Sequence, residues 1–276
     1  MSQKRIETVC RLGCLTFVAS QDSGTTNPSY KLYAATGKTR LCIKETTETR
    51  QLTVMGTHVG SVFAMSRPSG SDYNARIIGQ NVVDKEGWFH FAQAHFGSAP
   101  QPLAGDSIDT TFTSIISGDT LWPEEEPRRS CNIGQASKQA TDWTLSDLIT
   151  SSTAVEKGYR FTPRNYEYAC PVSIATHAQR MIYLGNGYLD LATQHCKAGD
   201  EIFLLMGADM PFLLRPRGDG TYTNLSEAYV HGIMDGEWLV YLRQQADPTW
   251  KGGDSSWLQD LGNPPWPFPT QEVTLV

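Results

Sequence analysis

Apolar and polar positions are most legibly patterned late in the chain. Residues 201–206 and 212–215 are short apolar runs joined by Gly207-Ala208-Asp209, a glycine-containing link of hairpin length, and they predict two antiparallel strands. Arg217-Gly218-Asp219-Gly220 then supplies residues that tolerate positive φ, after which 221–222 and 227–234 return as strands and complete a meander. Ahead of it, residues 180–184 and 188–191 flank the tight turn Gly185-Asn186-Gly187. About five strands thus fall within roughly 55 residues, the spacing of a small barrel. Residues 178–245 read as one β unit, led into by 173–179.

Upstream the period varies. Residues 12–18, 30–34 and 38–44 predict strands, the first two separated by a polar, turn-rich loop at 20–29. Residues 51–63 alternate as a longer strand, with Leu52, Val54, Gly56, His58, Gly60 and Val62 on one face. Its two glycines mark a bend or a close backbone approach. Arg67-Pro68-Ser69-Gly70-Ser71 is a linker, and Trp88, Phe89, Phe91, Ala92 and Phe96, bounded by Gly97 and Pro100, predict an amphipathic helix. A second helix is expected at 107–116, N-capped by Asp106 or Ser107, and a third from Thr144 or Ser146 to about Tyr159. Residues 118–134 read as a long surface loop able to cover a cleft, and 162–166 as a loop.

The tail from Asp247 carries Trp250, Trp257, Trp266 and Phe268 among prolines and glycines. It forms no long regular element yet docks, because so many free aromatics would expose apolar surface. The whole pattern predicts an α+β fold: a mixed strand and helix region over 1–170, a small antiparallel β-barrel-like unit over 171–246 on which the N-terminal strands and helices pack, and a docked Trp/Pro-rich tail over 247–276.

With 276 residues, 39% hydrophobic and 19% charged, the chain is long enough for a sizeable core. It holds no apolar run of membrane-spanning length and no signal-peptide layout, so a cytoplasmic location and no membrane partner are expected. The net charge of −6 opposes a phosphate-backbone partner, so no nucleic acid is expected. Arg128-Arg129, the basic pair in mid-chain, follows Glu124-Glu125-Glu126 in what reads as a solvated loop. Six cysteines without CxxC spacing support neither a zinc site nor a disulfide framework, and Cys10 and Cys14 are the pair closest in sequence.

No phosphate-binding loop, nucleophile elbow or HExxH motif is present, so no cofactor and no metal are expected. His90 and His95 are five apart, on different faces of a helix. His231 stands out: on a strand through 229–234 it shares a face with Tyr229 and Ile233, with Glu227 one step before them, and an imidazole so placed is a general acid or base near neutral pH. The competing reading is that His231 hydrogen-bonds within the fold and Asp235-Gly236 closes a hairpin. His231, Glu227, Tyr229 and His177 are the catalytic candidates. Cys196 beside His195 is a poor dyad, because strand neighbours point to opposite faces. Arg215 is a candidate for binding a substrate carboxylate, and Trp88 and Trp266, two of seven tryptophans, for lining an apolar site.

Arg180, Gly187-Tyr188-Leu189, Gly199-Asp200, Pro211-Phe212-Leu213-Leu214-Arg215 and above all Tyr229-Val230-His231-Gly232-Ile233-Met234-Asp235-Gly236-Glu237 resemble the C-terminal region of fungal heterokaryon-incompatibility (HET) proteins. Leu52-Thr53-Val54-Met55-Gly56 looks like the strand after that family's linker. Thr111-Phe112-Thr113-Ser114-Ile115-Ile116-Ser117-Gly118-Asp119 resembles its short FxxTLxxD helix, with a departure at the Thr-Leu pair. The resemblance implies that the family's N-terminal effector domain has no counterpart in this chain. Two functions fit. One is a stand-alone, cofactor-independent enzyme of cyclase, isomerase or lyase type acting on a small apolar metabolite in fungal secondary metabolism, with a homo-oligomer possible. The other is a non-catalytic regulatory or protein-recognition module, with the aromatic tail as its contact.

Overall fold

The computed structural model describes residues 33–44, 51–68, 80–96, 107–118, 120–121, 129–130, 175–176, 178–251 and 256–276. The strand expected at 12–18, most of that at 30–34, Cys10, Cys14, the third helix, the 162–166 loop and His177 lie outside these residues. The architecture is α+β, and the chain forms two compact units.

The first unit comprises residues 1–61, 199–228 and 232–276. Its meander is the expected one: β7 (Glu201–Leu205) pairs with β8 (Phe212–Pro216), and β8 with β9 (Thr221–Glu227), all antiparallel. Gly207 makes the first turn at φ 88°, and a Cβ there would run into the Leu41 backbone, so only glycine serves both needs. The tail does more than dock. Gln271–Leu275 forms a strand, β11, that lies parallel to β9 on one side and antiparallel to β2 (Leu52–Met65) on the other. Since β2 also pairs with β7, the pairings run β7, β8, β9, β11, β2 and back to β7. Ile43–Lys44, β1, adds to β2; the expected strand at 38–44 is confined to these two residues because 35–38 form a turn.

The register gathers Leu52, Val54, Phe203, Leu205, Phe212, Leu214, Val273 and Leu275 into one buried cluster, with Leu41 and Tyr222 packed against it. Each such side chain contributes about 1.5–3 kcal/mol by leaving water. Ile202 and Leu204, on the other face of β7, are also fully buried, which explains why that strand is an unbroken apolar run. Residues 229–234, expected as a strand, are one only at Tyr229–Val230, because Gly232 adopts φ 84° and Gly236 φ 95°. A helix not expected from the sequence follows, α3 (Glu237–Ala246), which buries Trp238 and Leu239. Its Arg243 guanidinium sits over the rings of Trp250 and Trp257, 4.4 and 4.5 Å from their centroids, and so ties the tail to the helix.

The second unit comprises residues 62–198 and 229–231. Here the end of β2 pairs with β5 (Gln179–Leu184), β5 with β6 (Leu189–Thr193), and β6 with β10 (Tyr229–Val230), all antiparallel. The hairpin expected around Gly185-Asn186-Gly187 is thus present. Two register shifts, at 58–60 and 62–64, end the single-face alternation expected for β2 and leave Phe63 70% exposed. Helix α1 (Gln80–His95) lies against β5, with His95 stacked on Tyr183 at 4.5 Å. Helix α2 (Ile108–Ser117) lies against β6 and meets α1 through Phe89 and Phe112. It is capped as expected: Ser107 Oγ accepts the Thr110 N–H, and Gly118 closes the other end in the left-handed region. Within the stretch expected as a surface loop, β3 (Thr120–Leu121) pairs with β4 (Arg129–Ser130).

Candidate functional site

The residues offered by the sequence for chemistry do not lie along one strand. Glu227 ends β9, opposite Phe212, whereas Tyr229 opens β10, opposite Leu191 of β6. Ala228 between them bonds to Pro211. His231 lies just beyond β10, 9% exposed, with its backbone N–H directed to the Leu189 carbonyl at 3.4 Å. The reading that put Glu227, Tyr229 and His231 in line on a single strand is therefore corrected. Glu227 holds its proton more tightly than an ordinary glutamate, through partial desolvation first and the nearby Asp209 carboxylate second.

The substrate-binding candidates are committed within the fold. Arg215 Nε and Nη2 donate to the two oxygens of Asp200, each at 2.8 Å, a bidentate pair in which the carboxylate is almost fully buried. Trp88 is 2% exposed and donates its indole N–H to the Arg67 carbonyl at 2.7 Å. Trp266 lies half-buried, stacked on Phe268, with its N–H toward the Gly262 carbonyl at 3.4 Å. Cys196 is buried and His195 exposed, in the turn that follows β6 rather than on a strand.

Two groupings were not foreseen. In the first unit Glu201 of β7 accepts the Tyr222 hydroxyl of β9 at 3.3 Å, and His58 Nε2 of β2 stands 3.7 Å from the same carboxylate oxygen. His58 and Tyr222 both set their rings edge-on to Phe203, at 5.2 Å. Desolvation, then the Glu201 charge and the hydrogen bond to it, push the Tyr222 phenol up. An imidazole, a carboxylate and a phenol thus meet on three strands. They do so in contact with water, the side chains of His58 and Glu201 being 41% and 24% exposed, where an ion pair contributes at most about 1 kcal/mol. His58 and Glu201 are joined by pairing across a long stretch of chain, so no spacing in the sequence announces the grouping.

In the second unit, Asp190 of β6 is fully buried and neither carboxyl oxygen has a hydrogen-bond partner. Burial alone pushes its pKa well above the ordinary 3.8, so it keeps its proton where a surface aspartate has lost it. It stands opposite Ile182 on β5 and Val230 on β10. Arg180, opposite Ala192, falls on the same face, diagonal to Asp190, and its buried Nε also lacks a partner. The signal was present in the sequence as an aspartate between leucines in an apolar strand.

Residues 161–246 match the Het-6 beta-barrel domain family. A stretch of 55 residues is 44% identical to heterokaryon incompatibility protein 6, OR allele, of Neurospora crassa, covering 19% of this chain and 8% of that protein. Another similarity, 37% identical over 78 residues, is to human centromere protein N, covering 26% of this chain and 23% of that protein. The chain spans less than a quarter of the length of either relative. No solved structure matches. The C-terminal part of the chain therefore contains a region related to heterokaryon-incompatibility proteins, as the signature through Tyr229 to Glu237 implies. Among the described residues no helix is long and apolar enough to cross a membrane.

Proposed function

We propose that this chain, with its heterokaryon-incompatibility-related region, acts as a non-catalytic recognition module, its strands forming a small barrel that presents a partner-binding surface. The observation that carries the reading is the bidentate bond of Arg215 to Asp200. The cation best suited to hold a substrate carboxylate already spends its bidentate edge on a buried carboxylate of this chain, so that edge is engaged within the fold rather than by a ligand. The match at 161–246 supports the same reading, since the similar Neurospora protein is named for incompatibility and for an allele. The test is to graft residues 161–246 into that protein in place of its matching stretch and score heterokaryon formation against compatible and incompatible strains. A changed compatibility pattern from an expressed, folded graft supports the module; parental behaviour overturns it.

A second reading is favoured by one observation, the fully buried Asp190 in the strand paired with β10, whose pKa burial raises. It makes the chain a cofactor-independent enzyme on a small apolar metabolite, of cyclase, isomerase or lyase type, cytoplasmic and in fungal secondary metabolism. A buried acid and the buried imidazole of His231, both in the second unit, would then share the proton transfers. Substituting His231 by Ala separates the readings: loss of turnover on a candidate metabolite with the fold retained favours the enzyme.

A further inference from the structure

We propose that Arg180 and Asp190 frame a buried subsite in the second unit that binds one anionic oxygen of a small ligand, a carboxylate, enolate or phenolate. Both side chains lie on the face of the β5–β6 hairpin that also carries Ile182, Ala192 and Val230, all apolar. In an antiparallel pair, diagonal neighbours stand about 7–8 Å apart, within reach of a single guest atom bonded to both. Each presents a polar atom excluded from water and without a partner: Nε of Arg180 and both oxygens of Asp190. No bond joins them to each other. Folded chains leave few such groups unpaired, and a donor and an acid orphaned side by side mark a place where something else completes the pairing.

The charge states fix the class of guest. A guanidinium donates and never accepts. Full burial with no partner on either oxygen favours the neutral form of Asp190, which has a hydrogen to donate. Two donors with a net positive charge suit an oxygen bearing negative charge, as a neutral carboxyl does where an apolar site holds its proton. Asp190 is fully buried while Arg180 is half-buried, so the Arg180 end of the pair lies nearer to solvent. The other charged side chain on the elements against β6, Asp109 of α2, is exposed in the first turn of its helix, and Tyr229 alternates to the other face of β10 from Val230. The inference is independent of the recognition reading, since a module can hold a small molecule without transforming it.

The test uses the full chain and 4-nitrophenol, whose visible absorbance reports whether it is bound as phenol or phenolate. Titration should show one probe per chain, bound as phenolate at a pH where the free probe is largely neutral. Arg180→Met and Asp190→Ala should each weaken binding by about ten- to a hundredfold, the loss of one charge-assisted hydrogen bond. Asp190→Asn, which keeps an N–H donor, should retain binding to within about threefold. Urea unfolding of each variant verifies that the fold is kept. Absence of binding, or equal binding by the wild type and the Arg180→Met/Asp190→Ala double variant, overturns the proposal.

Discussion

Asp190→Asn changes the stability of this protein in a way that depends on pH, and the direction follows from burial alone. The side chain is fully buried and its pKa is raised well above 3.8 by desolvation. Unfolding returns the carboxyl to water, where it ionises with an ordinary pKa of about 3.9. Between that value and the raised one, the folded chain holds a proton that the unfolded chain has released, so stability falls as pH rises through this window. The slope is about 1.4 kcal/mol per pH unit, and it ends once pH passes the folded pKa. Asparagine has nearly the same shape and leaves the same unpaired polar atoms, but it does not titrate. The variant should therefore match the wild type below about pH 3.5, where both side chains are neutral in both states. Above this it should become progressively more stable than the wild type. Urea unfolding at half-unit steps from pH 3.5 to 7 measures the difference directly, at about 1.4 kcal/mol per unit while it grows. Parallel curves for the two proteins would refute the reasoning, since they would mean that Asp190 ionises in the folded chain as it does in water.

Replacing Arg215 by Met removes the bidentate partner of the buried Asp200 carboxylate and should cost about 3–5 kcal/mol, whereas the Arg215→Met/Asp200→Asn double variant should recover a large part of that; urea unfolding of the wild type and both variants measures it. Glu201→Gln should lower the Tyr222 pKa toward 10.0 without fully restoring it, because desolvation, its largest cause, remains; an NMR titration of the tyrosine ring at high pH reads the shift. Arg243→Ala should release Trp250 and Trp257, quench or red-shift the tryptophan emission, and lower stability by about 0.5–2 kcal/mol; an unchanged spectrum would argue against the clasp.

What the sequence made legible is what short-range physics decides. Ser107 caps a helix whose first N–H groups need an acceptor, and Gly207 turns a hairpin because a positive φ is required there; both are visible within a few residues. The alternation through Tyr229, His231 and Ile233 misled because the glycine after His231 takes the left-handed conformation and ends the strand, after which the run Glu237–Ala246, rich in helix formers with an acidic start and Arg243 in its last turn, winds as α3. The tail strand was hidden by the prolines before it, although Val273 and Leu275 alternate inward as a strand requires.

The site was less legible because its geometry is made by pairing between distant segments. β11 reaches β2 from the far end of the chain, and β2 in turn carries His58 to Glu201. Chemistry inferred from neighbours in sequence, such as Glu227 with His231, presumes a strand that two glycines and a change of partner interrupt. The groups that matter physically are those that cannot satisfy themselves locally. Arg215 found Asp200 across one hairpin, and that bond pairs a nearly buried carboxylate and engages the bidentate edge of the cation. Arg180 and Asp190 lie across the β5–β6 hairpin, Nε of one and both carboxyl oxygens of the other without a partner, at a cost of about 1–3 kcal/mol for each unpaired buried group. It is from these unpaired buried atoms, set against the paired edge of Arg215, that a ligand oxygen completing the pairing is proposed.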